Sequence, residues 1–262
     1  MATLAPGRIA VGGDDRFFMT SALVMAALIF TAFSVQLGMG RSSFGAPLLV
    51  HVHAVVFMGW VVIYVLQTVL AASGRRDLHR TLGWIAAAWV VAMVVLGTLV
   101  TVLMVRRGQA PFFFQPGLFV LLNPAAVITF AGLTWAAVVQ RRRTDWHRRL
   151  HYCGMASLLG PAFGRLLPMP LLAPWAYEAT FVGVLLFPLT AIVLERRRTS
   201  RVHRAWWIGT AAIVAATLLV EVTAYGPAGR PLYAAITAGS PGAALDPFGF
   251  PPPPTAPLIT GR

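Results

Sequence analysis

The chain predicts an all-α membrane protein, a bundle of seven transmembrane helices with its N-terminus inside and its C-terminus outside. Three observations carry that expectation. Of the 262 residues, 58% are hydrophobic and 11% are charged, where soluble domains carry about a quarter charged. Seven apolar runs are long enough to cross a bilayer, which takes roughly 20 residues. Arginines gather in alternate connections between those runs, as positive-inside topology requires.

In order, the runs are Phe17–Leu37, Pro47–Ala72, Leu82–Val105, Gly117–Val139, Leu150–Leu167, Tyr177–Leu194 and Ala205–Ala224. The first follows polar, glycine-rich residues Ala5 to Arg16 and reads as a retained anchor. The second opens on His51 and His53. The third carries Gly83, Ala86, Ala87, Gly97 and Thr101 on the face of His79; small residues let helices approach closely, so this helix is expected at the centre. Asn123-Pro124 predicts a kink near the start of the fourth, and Gly160-Pro161 one in the fifth. The proline-rich linker Leu167–Trp175 has room for a half-inserted turn. Beyond the seventh run the chain is rich in Pro, Gly and Ala, includes Pro251 to Pro254, and is expected to be extended unless a partner orders it. The organisation is a cytoplasmic segment 1–16, a transmembrane domain 17–225 and an extracytoplasmic tail 226–262.

Orientation follows from the arginines. The connections after the second, fourth and sixth runs hold Arg75, Arg76, Arg80, Arg141, Arg142, Arg143, Arg148, Arg149, Arg196, Arg197, Arg198, Arg201 and Arg204. The other side has Arg41, Arg106, Arg107, Arg165, Arg230 and Arg262. The richer side is assigned to the cytoplasm. The net charge of +13 is therefore a topology signal facing a lipid bilayer, not a nucleic-acid footprint. All 21 basic residues are arginine. With no lysine there is no Schiff base, so retinal is excluded despite the helix count. The single cysteine, Cys153, rules out an intramolecular disulfide and is expected to pack as a small core residue. Neither a nucleophile elbow nor a phosphate-binding glycine loop is present.

Four histidines, His79, His147, His151 and His203, begin apolar runs just behind arginine clusters. They form one layer, with Asp77 and Asp145 as supporting carboxylates. His147 and His151, four apart, share a helix face and suit one metal ion, joined by His79. Interfacial histidines facing water and headgroups are the plainer alternative. His51-x-His53 is a second metal cue, weakened because the two rings diverge by about 200° on a helix. Helical phase aligns His53, Trp60, Tyr64 and Gln67 on one stripe. A second stripe joins His203, Trp207, Thr210, Thr217 and Glu221, and a third joins His147, His151 and Arg165. Lipid cannot solvate such stripes, so they are expected to turn inward as a polar pathway, with Arg165 and Glu221 as an outer ionisable pair or gate.

Two stretches carry a family resemblance. One is His51-Val52-His53-Ala54, continuing to Leu78-His79-Arg80-Thr81-Leu82-Gly83-Trp84. The other is His147-Arg148-Arg149-Leu150, continuing to Gly160-Pro161-Ala162 and Arg165. Together, over about a third of the chain, they resemble a family of uncharacterised predicted bacterial inner-membrane proteins, which implies that location and no activity. A looser similarity is to cytochrome b561-type bundles. It implies haem b between His79 and His151, with Trp84 and His147 beside it; the fourth run holds no histidine to give His53 a partner. The expectation is a redox protein with haem or a transition-metal ion near the cytoplasmic face, serving a quinol. The alternatives are an accessory subunit docked in a larger membrane complex through its tail, and a proton or small-solute transporter.

Overall fold

The structure is a computed structural model that describes residues 13–42 and 44–253. It is all-α. Six helices are long and apolar enough to cross a membrane: α1 (Gly13–Gly38), α2 (Leu48–Ala72), α3 (Arg76–Arg106), α4 (Pro116–Val139), α8 (Ala176–Thr199) and α9 (Arg204–Tyr225). Between α4 and α8 lie three short helices, α5 (Thr144–Ser157), α6 (Gly160–Leu166) and α7 (Met169–Leu172). After α9 come α10 (Gly229–Thr237) and a single 3-10 turn at Pro241–Ala244. Large apolar side chains such as Val91, Ile128, Trp135, Leu219 and Val222 stand outward, each more than half exposed. Only a bilayer makes such a surface stable, so this is a multi-pass membrane protein.

The expected fifth run departs from a simple span. Pro161 has no N–H to continue the helix past Ser157. The N–H groups of Leu158 and Leu159 turn back to Met155 and Ala156, three residues behind. The chain therefore breaks into α5 and α6. The start also differs, because α5 begins at Thr144 and includes the arginines placed in the preceding loop.

That extended α5 is the centre of the molecule. Helices α1, α4, α8 and α9 all pack on it, while α6 slots between α1 and α8. Arg149, Leu150 and every residue from Tyr152 to Ser157 are buried. A polar helix is thus sheathed by apolar ones, and its own polar groups are met inside the protein. Helix α3, expected at the centre, instead packs beside α2 and α4. Its small face is a seam: a Cβ on Gly97 would lie 3.0 Å from the Phe57 ring, while Ala87 and Trp84 face outward.

Both α2 and α3 stop by the same device. Gly74 (φ +73) and Gly108 (φ +71) take the left-handed conformation. The next residue then donates five back, Arg75 to Leu70 and Gln109 to Met104. This satisfies carbonyls that the helix ends leave open. Helix α4 runs unbroken through Pro124.

As far as Pro253 the tail is folded, contrary to the extended chain its composition suggested. Gly226–Pro253 turns back over the ends of α3, α4 and α9. Arg106 donates to the carbonyls of Ile236 (2.5 Å) and Ala238 (3.2 Å), Gln115 donates to Phe248 (2.7 Å), and the Gly117 N–H donates to Pro247 (2.8 Å). Tyr233 is buried among Val105, Phe114, Leu118, Phe119, Tyr177 and Val220. Proline and glycine permit this because the segment packs by close backbone approach: a Cβ on Gly242 would strike the Val105 carbonyl, and one on Gly229 the Ala224 carbonyl. Residues 1–12 and 254–262, which hold the start of the N-terminal segment and the end of the tail, lie outside the described residues.

Candidate functional site

At the arginine-rich end the structure brings three histidines together. The His79 and His147 rings are 6.1 Å apart between centroids, and His147 and His151 are 4.8 Å apart, each pair edge to face. Two are fixed by the backbone. His79 Nδ1 lies 3.3 Å from the Gln67 carbonyl, and His147 Nδ1 lies 2.8 Å from that of Ala137. Such bonds set ring orientation and leave Nε2 as the reactive atom.

The α2 stripe leads away from this triad. Trp60 and Tyr64 are buried, with 3% and 8% exposure. His53 Nδ1, Trp60 Nε1 and Gln67 Oε1 are all buried without a hydrogen-bond partner. Thr134 Oγ1 on α4 shares that condition. Tyr64 lies within electrostatic range of Tyr152 and Cys153 on α5. Nearly all buried polar groups in proteins find a partner, and three of these four unpartnered atoms stand on α2 at intervals of seven residues, two helical turns apart. At the far end His53 stacks on Phe57 at 4.2 Å and sits within electrostatic range of Arg165. Arg165 donates to the Pro161 carbonyl (3.0 Å) and lies 4.2 Å over the Phe33 ring.

Other expectations fail on geometry. Among the described residues, no group of three or more His, Cys, Asp or Glu side chains is placed to hold a metal ion, the triad included. Trp84 is 74% exposed and so lies on the surface of the bundle. Asp77 is exposed, and Asp145 binds Arg148 (3.1 Å) and Arg149 (3.4 Å). Carbonyls therefore take the supporting role given to those carboxylates. His51 and His53 diverge, His51 binding the Phe44 carbonyl at 3.1 Å.

The α9 stripe is rotated from its expected face. Trp207 is 53% exposed, and Trp206 is buried in its place. Two contacts set this rotation: Trp206 Nε1 donates to Glu195 at 2.6 Å, and a Cβ on Gly209 would lie 2.5 Å from Cys153 Sγ. Thr210 and Thr217 spend their hydroxyls on the Trp206 and Ile213 carbonyls of their own helix. His203 caps α9, accepting from the Ala205 N–H at 3.2 Å, and meets Trp146 edge to face at 5.3 Å, apart from the triad. Arg165 and Glu221 form no ion pair; Glu221 belongs instead with Tyr177 and Tyr225.

The densest polar network is one that sequence reasoning missed. Arg149 donates twice to Glu195 Oε2, from Nε at 3.0 Å and Nη2 at 2.8 Å. Both residues are buried, at 6% and 7% exposure. The His203 backbone N–H occupies Glu195 Oε1 at 2.8 Å. Asp14 on α1 bridges Arg148 (2.6 Å) and Arg198 (3.4 Å). Phe17, Phe18, Tyr152 and Trp206 stack beneath these charges. The network ties α1, α5, α8 and α9 together. Its one sequence signal was Glu195, an acidic residue standing directly before three arginines at a helix end.

Comparison of the chain with family models, with curated proteins and with solved structures finds no match. Its class therefore rests on the fold itself: a multi-pass, all-helical membrane protein with a polar central helix.

Proposed function

We propose that the protein crosses the bacterial inner membrane seven times, α5 and α6 together forming the fifth crossing, with the arginine-rich end cytoplasmic. In this reading it moves protons between the imidazole triad and the His53–Arg165 site along the inner face of α2. The observation that carries the proposal is the line of unpartnered polar atoms on His53, Trp60 and Gln67, ending on the triad. Histidine chains inside membranes are a recurrent proton relay, and the line has the polarity to hold bridging waters. Arg165, a fixed positive charge at the far end, opposes free leakage and makes transfer conditional on what binds there. The test is reconstitution in vesicles with an entrapped pH dye. Proton flux after a pH jump is expected above that of protein-free vesicles and at least ten-fold lower in His151→Phe or Gln67→Leu protein that remains folded by circular dichroism. Equal flux in wild type and empty vesicles rejects it.

A second reading, haem b held by His79 and His151 with electrons supplied by a quinol, is favoured by the anchored Nδ1 atom of His79, which orients that imidazole as a ligand. It needs only two ligands, so the lack of a three-residue metal group does not bear on it. The visible spectrum of the purified protein decides. A Soret band that His79→Ala abolishes supports this reading; a featureless spectrum without stoichiometric metal ends it.

A further inference from the structure

At the end opposite the arginines lies a pocket of about 180 Å³ that the proton reading does not use. Its walls are mainly aromatic: Phe113, Phe114, Trp175, Tyr177, Tyr225 and Phe250. Glu178 lines it too, and Glu178 Oε2 is buried with no hydrogen-bond partner. Glu221 lies close enough to act electrostatically on both tyrosines, as does Glu178. No lining residue is basic. Arg230, in the tail, pairs with Asp246 at 3.4 Å. The tyrosine hydroxyls are directed elsewhere, Tyr177 to the Thr217 carbonyl (3.3 Å) and Tyr225 to Gln115 Oε1 (2.6 Å). Neither neutralises the carboxylate.

A small cavity with aromatic walls and a carboxylate oxygen that has no partner has one natural ligand class. Ring faces attract a cation whose charge is spread over methyl groups, and a desolvated cation gains most. An anion meets two like charges here, and a neutral apolar group leaves the carboxylate uncompensated. The volume is below the roughly 300–1,000 Å³ of drug-sized sites. We infer that this pocket binds a small organic ammonium group, either on a free amine or on a zwitterionic lipid headgroup.

The test is calorimetric titration of the full chain in phosphatidylglycerol nanodiscs with choline, and with 3,3-dimethylbutan-1-ol, its uncharged isostere. Saturable binding of choline is expected, with the isostere at least ten-fold weaker. Glu178→Gln is expected to weaken choline binding at least ten-fold. Trp175→Ala, at an exposed position that folding tolerates, is expected to weaken it several-fold. Repeating the titration in phosphatidylcholine nanodiscs identifies the source: suppressed binding shows that the lipid headgroup occupies the pocket, and undiminished binding shows a free amine. Absence of saturable choline binding in the anionic nanodiscs, or equal binding of the isostere, overturns the proposal. Neither result bears on proton flux, and loss of proton flux leaves this pocket untouched.

Discussion

Arg149 and Glu195 each sit where a lone charge is untenable. Removing one partner leaves the other buried and uncompensated, a loss of about 3–5 kcal/mol in comparable pairs. Arg149→Met and Glu195→Met are each expected to unfold far below the wild type in detergent thermal scans. The double variant is expected to recover most of the difference, because no stranded charge remains. A double variant as unstable as the singles would show that the network matters for more than charge pairing. His203 offers a pH test. Burial, and after it the nearby Arg149, hold this imidazole below the ordinary histidine value. The unfolded chain takes up its proton near pH 6.5, while the folded chain resists until lower pH. Stability is therefore intact above about 6.5 and is lost as pH falls from there through the folded value. Protonation also removes the helix cap, which is worth ~1 kcal/mol. His203→Asn keeps a capping oxygen and is expected to flatten this part of the pH dependence of Tm. At this scale the sequence revealed residue types but not partners. Of the four histidines expected in one layer, His79, His147 and His151 lie together near the arginine-rich starts of α3 and α5, and His203 does not join them. Glu195 was passed over because its partner lies 46 positions away.

Among the helices, α5 shows where pattern reading ends. Apolar runs are legible because lipid demands them along a whole helix, and six of the seven expected runs are long apolar helices. Helix α5 touches protein on its packed sides, so nothing requires it to be apolar, and its arginines looked like a loop. The face of α2 was readable from spacing, since Trp60 and Tyr64 must hide their polar atoms from lipid. The face of α9 was not, because two aromatic neighbours, Trp206 and Trp207, compete for the interior and contacts on other helices, with Glu195 and Cys153, decide between them. Close packing gives this element its own test. Gly209→Ala places a methyl 2.5 Å from Cys153 Sγ, and overpacking of that kind costs about 1–3 kcal/mol. Tm is expected to fall, and an unchanged Tm would mean that α5 and α9 are less tightly engaged. Cys153, with 0% exposure, is expected to resist maleimide in the folded protein and to react fully on unfolding.

For the whole molecule, composition and arginine placement gave the class, an all-helical multi-pass membrane protein, and its uneven distribution of charge between the two ends. They gave no sign that the tail folds, because its one periodic stretch, Gly229, Tyr233 and Thr237 on the buried face of α10, is short and set among proline and glycine. Topology is open to measurement with single cysteines in a Cys153→Ser background. Arg142→Cys is expected to react with impermeant maleimide only from the cytoplasmic side, and Ala243→Cys only from the outside; labelling of both from one side would reject the assigned orientation. The folded tail has a further consequence for how the protein is made. Gln115 meets Phe248 across 133 positions of sequence, and contacts that distant form late. The end of the bundle opposite the arginines therefore completes its packing only after the last long helix has been made. A nascent chain stalled at α9 would hold a finished arginine-rich end and an unsealed opposite face, exposing Phe114, Leu118 and Tyr177 to whatever quality-control machinery surveys that side.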